Sequence, residues 1–212
     1  NLFLIGFVFG FGFYLSGIFW IAYSLTFDES FKFLIPFTLI MIPFFLSLFN
    51  GVTTLIVGQF LNYNFSSILL FSGSFALSDY IRSKVLSGFP WNLWGYSWSW
   101  FPEILQILNP IGLFAFNLLT ITFFTVPAYL FFKKSLISKF LTISLMFLLI
   151  FSIYLYGTFT INKNKVLLNK IKKSETQYTK VISPNFKLNY DSSIVEIEQK
   201  LKKLIKYSEP DP

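Results

Sequence analysis

The chain has 212 residues, of which 54% are apolar, 22% aromatic and only 13% charged, with a mean hydropathy of +0.62. A soluble domain carries about 25% charged residues and a disordered chain is charge-rich and apolar-poor, so both are excluded and a polytopic membrane protein is left. The net charge of +7 is uneven, with +2 over residues 1–161 and +5 over residues 162–212.

Cys and His are both absent. That excludes, within these residues, disulfides, thiolate metal sites, a cysteine nucleophile and any Ser–His–Asp triad. No metal site and no cofactor are expected. The chain starts at Asn1 inside an apolar run and ends at Glu209-Pro-Asp-Pro212 just after a helix-like segment, the pattern expected of a fragment. No cleavable signal peptide is visible, because no basic segment precedes the first run.

A membrane-crossing helix needs about 20 mostly apolar residues. Leu2–Leu25 satisfies this without a charge, and Asp28, Glu29 and Lys32 follow it. The apolar stretch over 31–61 has Pro36 and Pro43 near its start, which predicts an introductory segment and then the helix proper. Asn62-Tyr63-Asn64 is a polar break. Phe65–Leu86 is a third candidate span, although it carries Asp79, Arg82 and Lys84. Residues 87–103 hold four Trp, two Pro and two Gly, which predicts an interfacial or re-entrant loop. Ile104–Phe132 and Leu136–Ile161 bring the expected count to five spans.

Short-loop lysines orient such bundles. Lys133, Lys134 and Lys139 place their loop in the cytoplasm, and the Asp28/Glu29 turn, the Trp-rich loop and the tail then face outward. In the tail, 178–183 alternates like a short strand, and 191–207 reads as a helix with a Ser193/Glu196 capping box. One face of that helix carries Ile194, Ile197, Leu201, Leu204 and Ile205. Its Lys200, Lys202, Lys203 and Lys206 are read either as a solvated face or as a contact for anionic headgroups. No nucleic-acid partner is expected.

Asp79 and Arg82 share a helix face at i,i+3 spacing. Charges at this depth are costly unless paired or functional, so the two are read as a structural pair, or Arg82 as a headgroup contact. Gly6-x-x-x-Gly10 has the small-residue spacing of close helix packing, within the bundle rather than between copies. Glu103 follows Pro102 and suits the start of the next helix.

The informative stretch is Asp79-Tyr-Ile-Arg82-Ser-Lys-Val-Leu-Ser-Gly88-Phe89-Pro90-Trp91-Asn-Leu-Trp-Gly95-Tyr96-Ser97. It resembles the membrane domain of bacterial apolipoprotein N-acyltransferases, in which an acidic residue and an Arg precede a T/S-G-F-P-W segment and then G-Y-S. Gly10-Phe-Gly12, Ser16-Gly17-Ile-Phe-Trp20 and Asn109-Pro-Ile-Gly112…Asn117 look like the family's glycine-rich span and next helix start. The resemblance covers about residues 6–190 and implies an α-helical membrane bundle over 1–161. After it, 162–212 would open an α/β nitrilase-like domain outside the cytoplasmic membrane. Val181-Ile182-Ser183-Pro184-Asn185 departs from the family's usual first strand there.

The resemblance also implies a function: transfer of a phospholipid acyl chain to the N-terminal amine of a lipoprotein bearing a diacylglyceryl cysteine. The family uses a Glu–Lys–Cys triad through a thioester. None of the triad falls on this sequence, so no catalytic residue is assigned, and residues 1–212 alone are expected to be inactive. Phe89, Pro90, Trp91, Gly95, Tyr96 and Arg82 are the candidate substrate-binding residues, at a mouth where lipid or lipoprotein enters. The same aromatics also read as a plain interfacial anchor. Partners implied are a phospholipid donor, the lipoprotein and membrane lipids, acting on a monomer. A transporter or channel, or a non-catalytic membrane scaffold with a basic tail, are the alternatives.

Overall fold

The computed structural model describes residues 1–85, 88, 90–171, 180–186 and 192–208. Within them the chain is helical, with α1 at Leu2–Ile18, α2 at Ile35–Val57, α3 at Phe65–Arg82, α4 at Pro102–Leu105, α5 at Leu108–Thr125, α6 at Leu136–Ile171 and α7 at Ile194–Ser208. Tighter 3-10 turns extend several ends, notably at Phe19–Thr26, Glu29–Leu34, Trp94–Trp98 and Val126–Phe131.

Local chemistry sets these boundaries. Asp28 accepts from the backbone N–H of Ser30 at 2.8 Å and turns the chain toward α2. Pro36 sits in the first turn of α2, where a missing N–H costs nothing, whereas Pro43 lies inside the helix and is buried. Asn64 caps α3, its Oδ1 accepting from Ser67 N at 2.9 Å. Gly112 has φ of 76° and steps the chain from a single turn at 108–111 into the continuous part of α5.

Helices α1 and α2 form an antiparallel hairpin. Gly6 and Gly10 of α1 face Thr54 and Asn50 of α2, where any added Cβ would collide. Thr54 also donates to the carbonyl of Leu2 at 3.0 Å. The Gly6/Gly10 pair therefore serves packing inside the bundle. Tyr14, Ile18 and Leu46 complete that contact. Phe75 and Ala76 of α3 pack on Ile121 of α5, while Ile104, Phe116 and Ile153 bind α4 and α5 to α6. Outward faces carry exposed Phe, Leu and Ile, such as Ile5, Phe37, Phe140 and Phe159. Such faces are stable against acyl chains rather than water.

Among the described residues, four helices are long and apolar enough to cross a membrane: Leu2–Thr26, Glu29–Phe60, Leu108–Phe131 and Leu136–Lys170. Helix α3, expected as the third of five spans, forms over Phe65–Arg82 but is not among them. Its five serines, with Asp79 and Arg82, lower its hydropathy. Most of them are directed inward, with Ser67, Ser72, Ser78, Asp79 and Arg82 all buried.

The two ends of the bundle are distinct. Tyr63 and Phe65 meet Phe132 and Tyr129 at one end, beside the lysine-rich 133–139 loop. Trp20 meets Trp91 at the other, near the Asp28/Glu29 turn. Helix α6 runs from the lysine end at Leu136 and reaches the backbone of Glu103 at Gly157, about 32 Å further at 1.5 Å per residue. It then continues through Lys163, Lys165 and Lys170, past the expected boundary at 161.

The tail corrects one expectation. Residues 180–183 form no strand, and 178–179 lie outside the described residues. A strand needs a ladder partner, and none of the described residues supplies one. The expected helix is present as α7, with the Ser193 Oγ accepting from Glu196 N at 3.3 Å.

Candidate functional site

The end of α3 and the Trp-rich loop meet in a buried polar network. Arg82 Nη2 donates to Asp79 Oδ1 at 3.0 Å, across one helical turn. Their side chains are 1% and 9% exposed. Arg82 Nη1 reaches on to the carbonyl of Trp91 at 3.1 Å. The guanidinium also lies over the ring of Tyr14 on α1, 5.3 Å from its centroid. The other Asp79 oxygen accepts from Asn117 Nδ2 at 2.9 Å. Asn117 Oδ1 in turn accepts from the N–H of Gly95 at 3.0 Å. One charged pair thus connects α1, α3 and α5 and holds the loop backbone at two points.

Close approach requires small residues here. A Cβ on Gly95 would press on Phe116 at 3.1 Å, and one on Gly17 would collide with Asn92. Asn92 adopts φ of 59°, a left-handed conformation that Asn tolerates, and its amide lies 3.4 Å from the carbonyl of Phe13. Gly88 takes φ of 76° before the loop.

The tryptophans fall into two groups. Trp94 stacks on Phe13 at 4.6 Å and on Phe9 at 6.2 Å, and Trp98 stacks on Phe124 at 6.0 Å. Trp98 Nε1 also donates to Thr120 at 3.1 Å. These two hold the loop to the bundle. Trp91 is 51% exposed and Trp100 87% exposed. Tyr96 is exposed too, its hydroxyl donating to the carbonyl of Pro90 at 3.3 Å. Trp98→Phe removes one indole hydrogen bond while keeping most of the ring, so a stability loss of about 1 kcal/mol is expected. Thermal unfolding in detergent would read it, and an unchanged midpoint would mean the bond contributes nothing.

Of the sequence-derived candidates, Pro90, Trp91, Gly95, Tyr96 and Arg82 converge on this loop, and Phe89 lies outside the described residues. Arg82 is turned inward onto Asp79 and Trp91. Asn117 and Tyr14 complete the network, although spacing gave them no role. An Asn in the middle of an apolar span is itself a signal, since its amide needs partners there. Apolar hollows flank the network: one of about 340 Å³ between α3, α5 and α6 below Trp98, and one of about 620 Å³ between α2 and α3. Among the described residues no His, Cys, Asp and Glu grouping could hold a metal ion.

Comparison with known proteins matches the family described as apolipoprotein N-acyltransferase N-terminal domain over residues 1–126, which contain the whole network. The apolipoprotein N-acyltransferase of Brucella melitensis biotype 1 is 35% identical over 127 residues, which are 59% of this chain and 24% of the relative. That of Rhizobium etli is 31% identical over 127 residues, with the same coverage. That of Rickettsia bellii is 33% identical over 131 residues, 61% of this chain and 26% of the relative. The matched part is about a quarter of each relative's length. No solved structure matches the chain. On the match over residues 1–126, the chain belongs to the apolipoprotein N-acyltransferase family, as its N-terminal membrane domain.

Proposed function

We propose that residues 1–161 are the membrane part of a bacterial enzyme that moves an acyl chain from a phospholipid to the N-terminal amine of a lipoprotein carrying diacylglyceryl cysteine. The observation that carries this reading is the family match over residues 1–126, a range that includes the loop clamped by buried charge. The bundle lies in the cytoplasmic membrane, the Trp-rich loop and tail face outward, and the protein acts as a monomer. Residues 162–212 open the nitrilase-like domain.

The chemistry is a double displacement. A cysteine thiolate attacks the phospholipid ester, the C–O bond breaks, and the lysophospholipid leaves as an alcohol after taking a proton. The lipoprotein amine then attacks the thioester, the C–S bond breaks, and the amine proton is lost as the amide forms. A Glu serves as base and a Lys stabilises the oxyanion. All three lie outside residues 1–212, which contain no Cys.

The role of this chain is to present lipid. The exposed Trp91 and Tyr96, with Pro90 and Gly95, shape the mouth through which the donor reaches the thiol. Arg82 and Asp79 hold the loop from beneath. The apolar hollows suit chains rather than headgroups.

The test uses the complete protein in proteoliposomes with a diacylglyceryl lipopeptide, read as a mass increase of one acyl chain. Trp91→Ala and Tyr96→Ala are each expected to lower the rate about tenfold at equal protein level, as misplaced substrates do. Unchanged rates in both would reject the mouth, and no acylation by the unaltered protein would reject the function.

A further inference from the structure

We infer that Asn117 is a positioning residue for lipid transfer: its amide locks the Gly95–Tyr96 turn onto the Asp79–Arg82 pair, and a carboxylate cannot replace it. Three observations carry this. Asn117 is wholly buried in the middle of α5, with 0% exposure, although α5 is apolar enough overall to cross a membrane. Both ends of its side chain are used, Nδ2 donating to Asp79 at 2.9 Å and Oδ1 accepting from Gly95 N at 3.0 Å. Those partners lie 38 and 22 residues away along the chain, so the amide bridges elements that nothing local holds together.

Only an amide fits this place. The Asp79 oxygen accepts and the Gly95 N–H donates, so the bridging group must present a donor and an acceptor at once. A carboxylate of the same shape would satisfy Gly95 but face Asp79 with like charge in a dry setting. A restoring exchange follows. In Asp79→Asn/Asn117→Asp, the amide now on α3 accepts from Arg82 and donates to the carboxylate now on α5. That carboxylate accepts from Gly95. Each hydrogen bond keeps its place, and the cluster stays neutral around Arg82.

The inference rests on the proposed N-acyltransferase reading for its kinetic arm, so a second arm reads the loop itself. The complete protein in lipid nanodiscs is compared by hydrogen exchange and mass spectrometry, and in parallel by kinetics against phospholipid donor. Asn117→Asp is expected to speed exchange at 91–97 about tenfold, other spans staying as they were. The KM for donor is expected to rise about tenfold with kcat within about twofold. The exchanged pair is expected to return both quantities to within about threefold of the unaltered protein.

If Asn117→Asp fails to fold, Asn117→Ala takes its place, since it removes both bonds without adding charge. An exchanged pair as defective as the single variant would overturn the inference. So would faster exchange spread evenly over all spans with KM unchanged, which is what a merely structural role produces. If the unaltered protein shows no acyl transfer while exchange at 91–97 still follows the pattern, the functional reading falls and the lock stands.

Discussion

Asp79→Ala and Arg82→Ala are each expected to cost about 3–5 kcal/mol of bundle stability, the range for breaking one side of a buried pair. Either change leaves a charge without its counterion where water cannot reach, the side chains being 1% and 9% exposed. In Asp79→Ala the guanidinium keeps only the Trp91 carbonyl and the Tyr14 ring among these contacts, and Asn117 loses its acceptor. In Arg82→Ala the loop loses the donor to Trp91. The double variant Asp79→Leu/Arg82→Met should be milder than either single one, because it removes both charges and fills the volume. Unfolding followed by tryptophan fluorescence in detergent checks this, since Trp91, Trp94 and Trp98 report on the loop. If the double variant is as unstable as the two single losses added together, the pair does not act as a unit. The loop should loosen in both single variants, so under the proposed function a stability loss at these two side chains should also slow acyl transfer.

How much of this was legible in the sequence depended on range. The Asp79–Arg82 pair is three residues apart on one helix, so i,i+3 geometry alone predicted it. The Gly6/Gly10 contact was legible for the same reason, as was the irregular loop, with its Trp, Pro and Gly content. The partners of the pair were not. Asn117 lies 38 residues from Asp79, and no local rule connects them. Tyr14 falls in an apolar run where every residue looks alike, because a lipid-facing side chain and a packed one have the same hydropathy. In α3 the serines and charges lower the hydropathy below that of the four apolar helices, and five of those polar side chains are buried among the neighbouring helices. The apolar run stops at Ile161 while helix α6 continues to Ile171, since Lys163 and Lys165 end an apolar run without ending a helix. The strand expected over 178–183 rested on alternation alone, which specifies a face and supplies no partner.

Gly157→Leu is expected to separate α6 from the Trp-rich end of the bundle and to cost more than the 1–3 kcal/mol usual for overpacking, with Gly157→Ala costing about that much. The reason is the identity of the neighbour. A Cβ at Gly157 would run into the carbonyl, C and Cα of Glu103, which are backbone atoms of the turn that opens α4. A side chain can swing aside, but this backbone is fixed by Pro102 and by the bond from Leu105 N to Phe101 O at 3.2 Å. Helix α6 must therefore move as a body, opening the seam where Ile153 meets Ile104 and Phe116. Gly12 is the control, because nothing lies within 4 Å of a Cβ there. Gly12→Ala should be neutral, or stabilising by about 0.5–1 kcal/mol through backbone entropy. Both series are read by thermal unfolding in detergent, and equal midpoints for Gly157→Leu and Gly12→Ala would refute the close approach. Helix α6 leads into 162–171 beyond this contact, at the same end as the loop that Asn117 and Arg82 hold. A displaced α6 would move the following chain away from Trp91 and Tyr96. On the proposed function, Gly157→Ala in the complete protein should therefore slow acyl transfer even where it still folds, because α6 and the Trp-rich loop no longer share one register.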